Sequence, residues 1–351
     1  MITSKERGLA PFKAKKLDRF PMWYGGDPQT TQNIVEYLGA KDENDALHNI
    51  LGIDYKTCRP RYVGPELPTY SDGSVDTVWG IRRAGYFYGQ AVTHPLQDIE
   101  DLADLDKRYQ FPNAALWDAS ISAAEKKDTE GFCVIGGSWA PFFHDSIELI
   151  GMERFMLEMY DQPDLVHAIV DRSFDFYYDQ TVRAFEQNPG FIDFMFVGND
   201  FGSQRALLMS PDLWREYFKP GLQQMVELAH KHGAAAGLHS CGDIHAIIPD
   251  LIEIGMDAVN PIQVNAEHMD PAVLKREYGN DIVFFGGIDE NVILLTGTEQ
   301  QVRDETRRII DILGHDGRYI VAASHDYLLP EVPARNIVAM FDEARKYGTG
   351  R

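Results

Sequence analysis

The chain has 351 residues, of which 44% are hydrophobic and 25% charged, and this is the composition of an ordinary globular protein. Its formal charge of −21 disfavours binding to nucleic acid phosphates and to anionic membrane surfaces. The three cysteines, Cys58, Cys133 and Cys241, exclude a disulfide framework and a four-cysteine structural zinc site. Neither a signal peptide nor an apolar run of roughly 20 residues occurs, so we expect a cytoplasmic protein.

Eight short apolar runs alternate with longer amphipathic segments along the chain. The predicted strands cover residues 20–24, 53–57, 133–136, 194–197, 235–239, 258–260, 282–285 and 319–322. The predicted helices cover residues 30–38, 43–51, 146–160, 163–187, 211–232, 245–254, 271–278, 298–313 and 333–347. This alternation is typical of a parallel sheet with crossover helices, and eight strands predict an α/β fold of the (β/α)8 TIM barrel type.

Residues 62–130 interrupt the alternation. Residues 62–95, rich in Gly, Thr and Tyr, predict a β-hairpin insertion near the N-terminus, and residues 96–130 predict an acidic helical linker. No repeat or low-complexity tract marks a domain boundary. We therefore expect a single barrel domain over residues 1–351.

The segment Gly237-Leu238-His239-Ser240-Cys241 places an imidazole and a thiol two residues apart at the end of a predicted strand. Side chains at positions i and i+2 of a strand point to the same side, so both groups can reach one metal ion. The functional interpretation is a zinc site with His325 or a nearby carboxylate as third ligand. Two other interpretations stay open: a buried thiol beside a histidine bound to backbone, and a nucleophilic cysteine with His325 as its base.

Other polar and aromatic residues follow the predicted strands. In a barrel these positions open at one face, so residues far apart in sequence are expected to line one pocket. Asp200 and Asp289 are the predicted catalytic residues, although each also fits a loop cap. Packing alone also fits the aromatic members of the predicted substrate-binding set. That set is Trp23, Tyr24, Asp27, Trp139, Asn260 and Gln263.

Several stretches of the chain resemble the uroporphyrinogen decarboxylase superfamily, and within it the zinc-dependent, corrinoid-linked methyltransferases. The resemblance is strongest over residues 130–347. The stretches that carry it are Asn199-Asp200-Phe201-Gly202-Ser203-Gln204, His239-Ser240-Cys241-Gly242, Asn260-Pro261-Ile262-Gln263, Phe285-Gly286-Gly287-Ile288-Asp289 and Ser324-His325-Asp326.

The resemblance implies a TIM barrel in which His239 and Cys241 are two zinc ligands. The third ligand of the methyltransferase branch is a cysteine after the last strand, where this chain carries His325. The decarboxylases have an arginine-rich motif after the first strand, but here that place reads Pro21-Met22-Trp23-Tyr24-Gly25-Gly26-Asp27. Without arginine, a polycarboxylate lacks bidentate partners, so decarboxylation of a porphyrinogen is disfavoured.

The resulting prediction is a zinc-dependent methyltransferase that moves a methyl group between a corrinoid protein and a small-molecule thiol, pterin or methyl ether. No cobalamin-binding DxHxxG stretch occurs, so we expect a separate corrinoid protein to carry the cobalamin and to dock over the strand ends. Two alternatives remain: a metal-free lyase for another small carboxylated substrate, with Asp200 or Asp27 as proton donor, and a binding module without turnover. A homodimer is compatible with the sequence.

Overall fold

The structure is a computed structural model, and it describes residues 2–13, 18–85 and 89–348. Within these residues, the strands are β1 (Tyr55–Thr57), β2 (Arg61–Tyr62), β3 (Val75–Asp76), β4 (Arg82–Ala84), β5 (Gln90–Ala91), β6 (Trp117–Asp118), β7 (Cys133–Gly136), β8 (Phe194–Gly198), β9 (Ala235–His239), β10 (Ala258–Asn260), β11 (Val283–Phe285) and β12 (Tyr319–Ile320).

The α-helices of the same residues are α1 (Ser4–Leu9), α2 (Pro28–Leu38), α3 (Leu102–Arg108), α4 (Ala123–Asp128), α5 (Phe142–Ile150), α6 (Met152–Asp161), α7 (Pro163–Gln187), α8 (Pro211–Tyr217), α9 (Lys219–Lys231), α10 (Ile248–Glu253), α11 (Pro271–Tyr278), α12 (Glu299–Leu313) and α13 (Ala334–Tyr347). Short 3-10 turns cover Pro11–Lys13, Ala114–Leu116 and His245–Ile247, and π-helical turns cover Asp45–Leu51 and Glu290–Leu294. No described helix is long and apolar enough to cross a membrane.

Seven strands form one parallel sheet in the order β1-β7-β8-β9-β10-β11-β12. The chain around Met22 hydrogen-bonds to both ends of this sheet. The amide of Asp54, just before β1, donates to the Met22 carbonyl at 2.9 Å, and the Trp23 amide donates to the Val321 carbonyl, just after β12, at 3.0 Å. Residues 21–23 therefore connect the two edges, as the first strand of the predicted barrel would.

The sheet strands lie where the sequence predicts them, but two predicted helices are each broken in two. The segment predicted as 146–160 is interrupted at Gly151, whose φ of 89° is not helical. The segment predicted as 211–232 is interrupted at Phe218. Pro220 follows this break, and a proline is tolerated only in the first turn of a helix, so the helix has to begin again there.

The region of the predicted hairpin contains short antiparallel strands. β3 pairs with β4 and β4 with β5, while β2 pairs with β6, which lies in the segment predicted as a helical linker. Residues 86–88, which belong to the predicted hairpin, lie outside the described residues. The boundaries of the insertion stay a prediction.

Large aromatic side chains fill the space enclosed by the sheet. Phe194, Phe196 and Phe285 are fully buried, and the rings of Phe196 and Phe285 stack with centroids 5.6 Å apart. Trp23 packs edge-on against Phe285 at 5.2 Å. This packed interior closes the barrel below its C-terminal strand ends, so polar chemistry is confined to that face.

A buried carboxylate connects the N-terminal segment to the sheet. Asp54 is fully buried, and its two oxygens lie 2.7 Å from Arg7 Nη1 and from Arg19 Nη1. Its Oδ2 also accepts a hydrogen bond from the Met22 amide at 3.0 Å. Asp54 therefore joins α1, residue 19 and the segment around Met22 in one ion-paired network.

Candidate metal centre

His239 is the last residue of β9, and its position follows from the register of the sheet. It lies opposite Gly198 at the end of β8 and Asn260 at the end of β10. Its Nδ1 atom is 2.9 Å from Asn260 Oδ1 and 3.0 Å from Asp326 Oδ2. These acceptors place the ring proton on Nδ1, so the other nitrogen, Nε2, is left to bind a proton or a metal.

The loop after β9 holds Cys241 beside that free nitrogen. Cys241 Sγ is 3.5 Å from His239 Nε2, and the Cys241 amide donates to Asp200 Oδ1 at 2.8 Å. Gly242 has a φ of 84°, and a Cβ on it would come within 2.4 Å of the Gly202 backbone. Glycine is therefore required at this close approach of the two loops, which keeps the thiol near Asp200.

Three donor atoms converge at this point. One ligand atom each from Asp200, His239 and Cys241 lies within 4.8 Å of the other two. His239 Nε2 is 3.2 Å from Asp200 Oδ1 and 3.5 Å from Cys241 Sγ. Tetrahedral zinc with ordinary bond lengths would separate N from O by about 3.4 Å and N from S by about 3.6 Å. The three donor types and the two distances from His239 Nε2 therefore fit a zinc ion.

The electrostatics of the cluster favour a cation. Burial alone would raise the pKa of Asp200, yet hydrogen bonds with His144 and His239 hold the pKa of this carboxyl well below its usual value. Burial alone would lower the pKa of His239, but the electrostatic interactions with Asp326 and Cys241 raise it. Two carboxylates and a thiol around one imidazole thus stabilise positive charge, which a proton or a divalent metal can supply.

His325 lies beside the Cys241 thiol. A hydrogen bond with Cys241 raises the pKa of His325 to about 9, against the effect of burial. The Tyr327 amide donates to His325 Nδ1 at 3.2 Å, so Nε2 is the ring nitrogen free to face the thiol. His325, the predicted third ligand, thus lies next to the sulfur of Cys241. The third donor of the cluster with His239 and Cys241 is instead Asp200.

A protein family model matches most of this chain. The model described as "Uroporphyrinogen decarboxylase (URO-D)" matches residues 88–347, which is more than half of the chain. The chain belongs to the uroporphyrinogen decarboxylase family. The family and the parallel sheet confirm the predicted TIM barrel class.

Two proteins similar to this chain come from Methanosarcina mazei. A methylated-thiol–coenzyme M methyltransferase of Methanosarcina mazei is 25% identical over 329 residues, which cover 89% of this chain and 83% of the relative. A solved structure described as a methyltransferase from Methanosarcina mazei covers 99% of both chains with a TM-score of 0.64 and 17% identity. The second likeness supports the fold alone.

Three of the predicted substrate-binding residues of this uroporphyrinogen decarboxylase family member lie around His239 and the Cys241 loop. Asn260 is fully buried and orients His239, while Gln263 accepts a hydrogen bond from the Gly242 amide at 2.6 Å and so holds the Cys241 loop. Trp139 lies above His239, with ring centroids 5.2 Å apart. A Cβ on Gly198 would come within 2.0 Å of the Trp139 ring, so glycine there makes room for the indole.

The predicted acids Asp27 and Asp289 both act as helix caps in the structure. Asp27 is buried and accepts a hydrogen bond from the Gln29 amide at the start of α2. Asp289 accepts from the Val292 amide and from Asn265 Nδ2 at 2.9 Å. Asp200 is the predicted catalytic acid that lies in the donor cluster; a catalytic role for Asp289 stays a prediction.

The sequence prediction missed two residues around the cluster, and it contains a third, Asp326, only as part of Ser324-His325-Asp326. His144, in α5, has its Nε2 3.4 Å from Asp200 Oδ2. Asp326 contacts His239, and Arg59 lies over Trp139 with its guanidinium carbon 5.1 Å from the ring centre. Arg59 follows β1 by two residues, so the rule that strand ends carry function could have identified it.

A cavity of about 710 Å³ opens beside this site, between the segment after Met22, α2 and β1. Trp23, Tyr24 and Arg59 line it, whereas His239 and Cys241 do not. The donor cluster therefore lies outside the lining of this cavity. Arg59 joins the two, because it borders the cavity and also contacts Trp139 above His239.

Proposed function

We propose that this protein is a zinc-dependent methyltransferase that transfers a methyl group between a corrinoid carried by a partner protein and a small-molecule thiol. The observation that carries the proposal is the convergence of His239 Nε2, Cys241 Sγ and an Asp200 oxygen at the strand-end face. The predicted enzyme class, methyltransferase, is also the class in the name of the 25% identical relative.

The choice of a thiol rests on two supports. A methylated thiol and coenzyme M stand in the name of the 25% identical relative. A free thiol with a pKa of about 8.5 is only a few per cent thiolate at pH 7, and zinc would supply the Lewis acidity that keeps it deprotonated. A site with one sulfur, one nitrogen and one oxygen donor leaves a fourth position for such a substrate.

The surrounding residues prepare this site. Asn260 and Asp326 hold the proton of His239 on Nδ1 and so direct Nε2 to the mouth of the barrel. Trp139 covers the imidazole and limits the access of water. His144 hydrogen-bonds Asp200 and fixes the orientation of the carboxylate. The side chains thus hold the donors before a substrate arrives.

The corrinoid would have to reach this face from outside. The packed aromatic interior around Phe196 and Phe285 blocks access from below. We propose that a corrinoid protein docks over the C-terminal strand ends, as the family resemblance implies.

Metal removal tests the proposed function. Protein purified without added metal is expected to carry near-stoichiometric zinc and to demethylate methylcobalamin in the presence of a thiol, followed by the change in the corrinoid absorption spectrum. Dialysis against a chelator should abolish the reaction, and zinc, but not magnesium, should restore it, because the donor set contains sulfur. A wild-type protein that binds no zinc when zinc is supplied would overturn the proposal and favour the metal-free lyase.

The third ligand can be identified by a pair of variants. We propose that it is Asp200, so Asp200→Asn is expected to weaken zinc binding by more than about a hundredfold, beyond the range for outer partners. His325→Gln, which removes a partner of the thiol, should weaken zinc binding by about tenfold. Competition with a chromogenic chelator measures both affinities. The reverse order would make His325 the ligand, as predicted from the sequence.

A further inference from the structure

Arg59 places a positive charge in the mouth of the barrel. Its described hydrogen bonds are long: Nη1 is 3.4 Å from the carbonyl oxygens of Gly137 and Phe196, and Nη2 is 3.4 Å from the latter. No ion pair with a described carboxylate accompanies these contacts. Because a guanidinium has five N–H donors, this arrangement leaves donor capacity for another group.

Other cations around β1 are already paired. Arg7 and Arg19 each contact a carboxylate oxygen of Asp54 at 2.7 Å. Lys56, which lines the same cavity as Arg59, contacts Asn44 Oδ1 at 2.7 Å and Asp128 Oδ2 at 2.8 Å. Arg59 is therefore distinguished from them by its weak bonding as well as by its place.

The surroundings of Arg59 make its charge costly. Burial lowers the pKa of Arg59 to about 10, although Asp326 opposes this effect. The side chain is still protonated at neutral pH. A half-buried guanidinium with poor hydrogen bonds is strongly stabilised by an anion that accepts two new hydrogen bonds from it.

We propose that Arg59 binds an anionic group, a carboxylate, sulfonate or phosphate, on the small-molecule substrate that reacts at His239 and Cys241. This inference rests on the proposed function, because it concerns the recognition of the substrate of that same site. Trp139 lies 5.1 Å from the guanidinium carbon and 5.2 Å from the His239 ring. The Trp139 indole thus lies between Arg59, which would bind the anionic end of the substrate, and His239, beside which the thiol would react. This spacing fits a short molecule.

The charge of the rest of the protein makes this recognition selective. A chain with a net charge of −21 has no general attraction for anions. Glu43, Glu125 and Asp128 also line the cavity. An anion is therefore expected to bind here only where the bidentate guanidinium of Arg59 compensates for these charges.

The test measures binding without turnover. We would titrate the purified protein with butyrate, propanesulfonate, propyl phosphate and the neutral 1-butanol, and follow tryptophan fluorescence, since Trp139 contacts Arg59. Wild type should prefer at least one anion to 1-butanol, and the order among the three identifies the group. Arg59→Gln should weaken binding of that anion by about tenfold or more, whereas Arg59→Lys should retain part of it.

A matched control removes the same charge elsewhere on this face. Arg205 is exposed in the loop after β8, and Arg205→Gln should change anion affinity by less than about twofold because exposed charges are screened. In turnover with an anionic thiol, Arg59→Gln should raise KM with little change in kcat, and with 2-mercaptoethanol it should change neither.

Equal binding of 1-butanol and all three anions by wild type would overturn the inference, as would unchanged anion affinity in Arg59→Gln. If Arg59→Gln does not fold by circular dichroism, the wild-type preference and a several-fold loss in Arg59→Lys decide instead. Anion binding that depends on Arg59 without any methyl transfer would refute the proposed function and leave the anion site. Methyl transfer without Arg59-dependent anion binding would refute the anion site and leave the proposed function.

Discussion

Cys241→Ser is expected to lose its zinc and to lower methyl transfer by more than about a hundredfold, since even outer partners of a metal site contribute ten- to a hundredfold. A serine hydroxyl stays protonated at neutral pH and is a poor zinc ligand, whereas the thiol is deprotonated on binding. His239→Ala should have the same effect, because it removes the nitrogen 3.5 Å from the sulfur. Mass spectrometry of metal content, alongside turnover, measures both variants.

The control for this prediction is the other half-buried cysteine. Cys58→Ser alters a thiol at the end of β1 that is not part of the donor cluster. It should keep the zinc content of wild type. Zinc retained at wild-type level in Cys241→Ser would refute the metal centre, and activity retained without zinc would favour a lyase.

Asp54→Ala is expected to lower the free energy of unfolding by about 3–5 kcal/mol, the range for breaking a buried ion pair from one side. The substitution leaves Arg7 and Arg19 without the carboxylate that each contacts at 2.7 Å. It also removes the acceptor of the Met22 amide, at the place where the sheet edges are connected. Urea denaturation followed by circular dichroism measures the change.

Asp18→Ala is the matched control for Asp54. Asp18 also contacts Arg7 at 2.7 Å, but its side chain is 42% exposed. Solvent screening limits such a pair, so we expect a loss of less than about 1 kcal/mol. Equal losses in the two variants would show that burial of Asp54 does not govern the stability of this network.

The sequence alone predicted the elements with strong local signals. Residues 133–136 and 235–239 are strands. Each is a short apolar run between longer amphipathic segments, and this pattern is typical of strands buried under crossover helices. Breaks inside helices were harder to predict. The stop at Gly151 interrupts a continuous apolar pattern, and only backbone torsions reveal it.

For the site, the sequence by itself determined the pair His239 and Cys241, because His239 ends β9, Cys241 follows two residues later, and this spacing is a local property. The tertiary structure decided which residues surround them. Asp200, Asp326 and Arg59 follow three different strands, and His144 lies in α5; the sheet register and the loop contacts bring them together. Their convergence depends on distances between segments far apart in the chain, and no periodicity of a single segment contains those distances.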